Sequence, residues 1–202
     1  MTYQEICENA RKTILNCSAC PECNGLGCGN TLPGPGSKAP GNGANVNWQA
    51  WKKIRLNFDT FAEDGPVDTG TELFGKHLAL PLMSGPIGSM TQYSREDVTV
   101  AFNDGVMEGT AKTGTVDSFG DGVAPYVLPG ALESILRHHA DAIPVINPMP
   151  NASIIRKMEP FEDHALAMCV VVDSAGLSHW KHAGDQPGSK TVSDLKEIRS
   201  HT

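Results

Sequence analysis

The sequence lacks any long apolar run. Its longest, residues 165–172, is far short of the roughly 20 residues a membrane-spanning helix needs, so no membrane role is expected. It also lacks basic excess: 16 Lys and Arg stand against 23 Asp and Glu, a net charge of −7. Binding to a phosphate backbone needs clustered cations, so no nucleic-acid partner is expected either. The first dozen residues carry Glu5, Glu8, Arg11 and Lys12 where an export signal would have an apolar core, which points to a cytoplasmic protein. What remains is an ordinary globular composition, 40% hydrophobic and 19% charged over 202 residues. That length suits one domain, or a small module plus a domain.

The punctuation is uneven. Residues 2–15 read as a helix, with Tyr3, Ile6, Cys7, Ala10 and Ile14 on one face and Thr2 with Glu5 as a capping box. Residues 17–47 then concentrate glycine and proline. The run LPGPGSKAPGNG allows neither a helix nor an interior strand, so this segment is expected to lie extended over a core or to act as a linker. Trp48 and Trp51, at helical spacing, suggest a short helix that docks it.

From about residue 71 the texture becomes alternating apolar runs and amphipathic stretches. Strands are expected at 79–83, 115–118, 143–147 and 168–172. Helices are expected from Ser94, with Asp97 as its cap partner, to about Lys112, then over 130–139, 151–166 and 189–200, with Pro160 breaking or kinking the third. Strand starts recur about every 25 to 36 residues, the spacing of βαβ units in a parallel sheet. The expected division is an extension over 1–70 and an α/β domain over 71–202.

Ligands of parallel α/β folds bind beyond the carboxyl ends of the strands. Those ends read Ser84-Gly-Pro-Ile-Gly88, Asp117-Ser-Phe-Gly-Asp-Gly122, Asn147-Pro-Met-Pro150 and Asp173-Ser-Ala-Gly176. They are small, glycine-rich or acidic, as close approach to a flat ligand requires, and equally as tight turns require. None is a dinucleotide fingerprint or a P-loop.

Asp68-Thr-Gly-Thr-Glu-Leu-Phe-Gly75, followed by Leu78-Ala-Leu-Pro-Leu82 and Ser84-Gly-Pro-Ile-Gly88, resembles the opening of the FMN-dependent α-hydroxy-acid dehydrogenase and oxidase family. The likeness is closer to a bacterial branch of α-hydroxy-acid-oxidising proteins with an N-terminal Cys-Pro-x-Cys-x-Gly-x-x-Cys stretch. Cys20-Pro-Glu-Cys-Asn-Gly-Leu-Gly-Cys28 is similar to it at every fixed position. The resemblance implies a (β/α)₈ barrel, FMN as cofactor and a small-molecule substrate. Carried over by position, it places the backbone of Gly85, Pro86 and Ile87 against the flavin ring, Ser118 and Asn147 beside it, and Asp173 as the carboxylate orienting a catalytic histidine.

Two departures qualify what it implies. Asn147-Pro148 stands where the α-hydroxy-acid enzymes carry Gln-x-Tyr, and Val171 replaces a threonine. The family's catalytic histidine and substrate arginine belong to strands five and six, and its phosphate site to strands seven and eight. The expectation is therefore half of a (β/α)₈ barrel, four strands with their helices, completed by a partner chain or associating as a homo-oligomer. None of His77, His138, His139, His164, His179, His182 or His201 matches the catalytic position.

Cys17, Cys20, Cys23 and Cys28 supply four soft ligands at close spacing. The run is nearer to iron–sulfur than to zinc spacing, though redox-active or merely structural thiols fit it too. Three functions are carried forward: an FMN oxidoreductase acting on a small 2-hydroxy acid, a non-catalytic half-barrel, and a cluster- or metal-binding electron-transfer module.

Overall fold

A computed structural model describes residues 2–27, 43–57, 60–61, 63–91, 93–172, 174 and 184–201. Its contacts define two units, Met1–Val67 with Thr91–Glu96, and Asp68–Met90 with Asp97–Thr202.

In the first unit, helix α1 (Tyr3–Thr13) opens with the expected capping box. Glu5 N–H donates to Thr2 Oγ1, and Thr2 N–H donates back to Glu5 Oε2 at 2.7 Å. Two of the helix's orphan donors are thereby satisfied. The cysteine-bearing loop folds back on α1. Arg11 donates to the carbonyls of Ser18 and Ala19, and the Tyr3 hydroxyl donates to that of Pro21. Helix α2 (Gly43–Trp51) carries Trp48 and Trp51 as expected, but Trp51 is 75% exposed. The helix is instead tied to the cysteine loop through Asn45, whose Nδ2 donates to Asn24 O.

The second unit begins with a hairpin, β1 (Thr71–Leu73) and β2 (Lys76–Leu78), paired antiparallel. Its two-residue turn holds Phe74 and Gly75 at positive φ. A parallel sheet follows in the order β3 (Asp117–Gly120), β4 (Ala142–Ile146), β5 (Cys169–Val170). The segment before β3 joins its outer edge through a parallel bridge from Met83 to Val116. Spatial order thus follows chain order, with helices α3 (Thr99–Thr113), α4 (Val127–His138) and α5 (Asn151–Met158) in the successive connections and α6 (Val192–Arg199) after β5.

Two expected strands are shortened by proline. Residues 79–83 reduce to that bridge because Pro81 has no N–H and sits in a tight turn closed by Leu82 N–H to Leu80 O. Residues 168–172 reduce to Cys169–Val170. The carbonyls of Ala142 and Ile146 accept from Leu166 and Val171, and Pro144, between them, has no donor to offer that edge. The helix expected over 151–166 ends at Met158 and passes into a 3₁₀ turn, Glu159–Phe161, at Pro160. The cap expected from Ser94 with Asp97 is not formed: α3 begins at Thr99 after Val98, which has no side-chain cap, and Asp97 Oδ1 accepts from the N–H and hydroxyl of Thr99.

Alternate strand residues face two layers. Phe119 and Ala142 pack with Met107 of α3 and with Ala131 and Ile135 of α4, while Ile146 packs with Ile154 and Met158 of α5 and Ile198 of α6. On the other face Val116 and Ile143 cluster with Leu78, and Leu73 of the hairpin packs against them. Polar clasps join the helices. Asp104 of α3 accepts from Ser134, Arg137 and His138 of α4, and these partners, Ser134 foremost, lower its carboxyl below the usual range. His138 is the last residue of α4, and its Nε2 lies 3.0 Å from Asp104 Oδ1. Asn151 of α5 donates to Asp194 and Glu197 of α6.

Among the described residues no helix is long and apolar enough to cross a membrane. The observed class is α/β with a parallel sheet.

Candidate functional site at the strand ends

The segment 84–90, which leaves the first strand position, is pinned from several sides. Ser84 donates to the Asp117 carboxylate, and its Oγ accepts from Ser118 N–H at 2.7 Å. Ser118 Oγ donates back to Ser84 O. The carbonyl of Ile87 accepts from Gly120 N–H and from Asn103 Nδ2, both at 3.3 Å, and Met90 N–H donates to Thr99 Oγ1.

Three glycines make this packing possible. A Cβ on Gly88 would lie 2.8 Å from the backbone N of Gly122, one on Gly120 would lie 2.9 Å from that of Gly88, and one on Gly122 would lie 2.2 Å from Gly88 O. Gly122 also has φ +57, a conformation that glycine alone adopts without strain. The pinned segment leaves an apex, Gly85-Pro86, that is exposed, and a Cβ on Gly85 would meet nothing within 4 Å.

A polar network lies beside it at the ends of β3 and β4. Asp121 is 2% exposed. Its Oδ1 accepts from Asn147 Nδ2 at 2.6 Å and from Asn147 N–H at 3.3 Å, and its Oδ2 pairs with Lys157 Nζ at 2.6 Å. Asn147 Oδ1 in turn accepts from Ser174 Oγ at 2.9 Å. One aspartate therefore ties β3, β4, α5 and the chain after β5 together. Sequence reasoning quoted Asp121 within its motif but gave it no role. An acidic residue between two glycines directly after a buried strand was the available signal.

Asp117 is the other buried carboxylate. Its Oδ2 has no hydrogen-bond partner among the described residues, and burial pushes its pKa up to about 6 against the opposing hydrogen bonds from Ser84 and Ser118.

The structure brings Gly85, Pro86, Ile87, Ser118 and Asn147 to the carboxyl ends of neighbouring strands. Ser118 and Asn147 each spend side-chain hydrogen bonds inside the protein, on Ser84 and on Asp121 with Ser174, and so help set the shape of that surface. Asp173 and Cys28 lie outside the described residues, as do His179 and His182. Cys17 and Cys20 are half-buried, and Cys23 is exposed. Cys17 Sγ accepts from Ala19 N–H, and Gly27 leaves room for Cys20 Sγ, which a Cβ there would meet at 2.6 Å. Among the described residues no three His, Cys, Asp or Glu side chains converge as a metal site would require.

Residues 36–116 match the model of a family described as FMN-dependent dehydrogenase. The matched span takes in the hairpin, the pinned 84–90 segment and α3, and it covers less than half of the chain. The match supports an FMN-dependent oxidoreductase in general, with a flavin cofactor and a small-molecule substrate. No curated protein matches the chain, and no solved structure matches it.

The apex is exposed, pinned on either side and free of side-chain bulk over Gly85, which leaves room for a flat ring. A phosphate would need a cation, and Lys157, at the neighbouring strand ends, is already paired with Asp121.

Proposed function

We propose that this chain forms the first four strand–helix units of a (β/α)₈ FMN-dependent oxidoreductase that oxidises a small 2-hydroxy acid in the cytoplasm. The observation that carries the reading is the pinned, open Gly85-Pro86 apex at a strand end, inside the span matched to the flavin family. Bound FMN would supply a hydride acceptor, chemistry that no side chain provides. The protein's part is orientation. The backbone of Gly85, Pro86 and Ile87 backs the ring, and the Ser84–Ser118 pair and the Asp121–Asn147 pair hold that surface still. Asp173 is proposed to orient a proton-accepting histidine by fixing its tautomer.

Riboflavin and FMN titrations of the purified chain test the ring assignment. Both flavins should bind weakly with similar affinity, because the apex meets the ring and not the phosphate. Gly85→Val should weaken both by about tenfold through bulk alone, with no loss of fold, since a side chain there meets open space. Flavin binding untouched by Gly85→Val would refute the reading.

The spacing of Cys17, Cys20, Cys23 and Cys28 supports a separate proposal of an iron–sulfur or zinc site. Iron or zinc near one equivalent in anaerobically prepared protein, lost in Cys23→Ser, would support it, and metal-free protein would remove it.

A further inference from the structure

We propose that a crevice between α4 and α5 binds a small amphipathic carboxylate, at a place distinct from the Gly85-Pro86 apex. The crevice encloses about 450 Å³ behind the β3–α4 turn, a volume within the range of small-molecule sites. Leu128 and Leu132, one turn apart on α4, form one apolar wall, and Pro160 and Phe161 form the other. Phe161 is fully buried and stacks tilted on Phe119, with ring centroids 5.7 Å apart, so that wall is part of the core and does not collapse inward.

The charged side chains of the lining are three. Asp121 and Lys157 neutralise each other at 2.6 Å. Arg156, on the preceding position of α5, is exposed, and its guanidinium makes no hydrogen bond or ion pair among the described residues. The lining thus carries one net positive charge in a chain whose net charge is −7. A single uncompensated guanidinium beside an apolar slot selects a monoanion with an apolar body, because a guanidinium pairs a carboxylate through two parallel hydrogen bonds. A dianionic phosphate would keep one negative charge unmatched by the lining. The volume suits a body of roughly six to ten carbons. The apolar body lies between Leu132 and Phe161, and the carboxylate reaches Arg156 at the mouth.

Calorimetric titration of the full chain with octanoate, 1-octanol and acetate tests this. Octanoate should bind saturably, 1-octanol more weakly, and acetate not detectably. Arg156→Gln, a surface change that spares the fold, should weaken octanoate about tenfold and leave 1-octanol unchanged. Leu132→Trp, which fills the slot, should abolish both. Absence of saturable octanoate binding, equal affinity for octanoate and 1-octanol, or octanoate binding indifferent to Arg156→Gln would each overturn the proposal. So would a Leu132→Trp variant that changes only the sedimentation of the chain, which would make the crevice a contact between copies.

Discussion

Lys157 Nζ stands 2.6 Å from Oδ2 of Asp121, a carboxylate whose side chain is wholly shielded from water. The aspartate's other oxygen is held by Asn147, so the lysine supplies the only opposite charge paired with it among the described residues. Removing one member of a buried pair leaves the other charge uncompensated. Lys157→Met should therefore destabilise the second unit by about 2–4 kcal/mol. Asp121→Asn, which removes the buried charge and keeps an acceptor for Asn147, should cost less. Urea midpoints of the two variants check the order, and the reverse order would show that the pair is not what closes the strand ends.

Gly122→Ala should be among the most damaging small changes in the protein. It puts a methyl group 2.2 Å from Gly88 O and forces a non-glycine residue to φ +57. A loss of about 2–4 kcal/mol is expected from strain and backbone displacement together. Gly85→Ala, at the apex of the same segment, should leave the unfolding midpoint unchanged. Thermal melts of both variants distinguish a packing glycine from one that merely leaves room.

Asp117 gives the fold a pH dependence of unusual sign. Its pKa is raised to about 6 in the folded protein from an ordinary value near 4, so the folded state holds the proton more tightly than the unfolded chain. Its contribution is fully present below about pH 4, falls away between pH 4 and pH 6, and is absent above. The span amounts to about 3 kcal/mol at most. Asp104 and Asp97, whose carboxyls are held below the usual range by hydrogen bonds, act oppositely and lose their contribution as pH falls. The Asp117 share is isolated by comparing wild type with Asp117→Asn. The variant should gain stability relative to wild type as pH rises from 4 to 7, and a constant difference would show that Asp117 titrates normally.

The sheet's two edges should make the purified chain associate. Leu82 and Met83, at the edge beside β3, are 62% and 55% exposed, and Val172, just past β5, is 61% exposed. Open parallel edges flanked by apolar side chains recruit other strands. Sedimentation should report a species larger than the monomer, and Met83→Lys should shift it toward the monomer. A monomeric wild type would mean these edges are protected in another way.

The sequence by itself determined the local features that depend on near neighbours. The α1 capping box needs only Thr2 and Glu5, the break after Met158 needs only Pro160, and the βαβ alternation follows from the spacing of apolar runs. The motif Ser84-Gly-Pro-Ile-Gly88 was legible as a strand-end surface because small residues after an apolar run have few other uses. Tertiary structure decided what depends on residues far apart in the chain. Pro144 holds back the start of β5 because its missing donor faces that strand, a fact of register that the sequence does not state. Asp121 became a hub because parallel pairing brings the end of β4, with Asn147, beside the end of β3, and α5 carries Lys157 over the same point. Gly88, Gly120 and Gly122 look like three loop glycines, yet they are one packing contact, because two backbones meet there at a distance that leaves no room for a side chain.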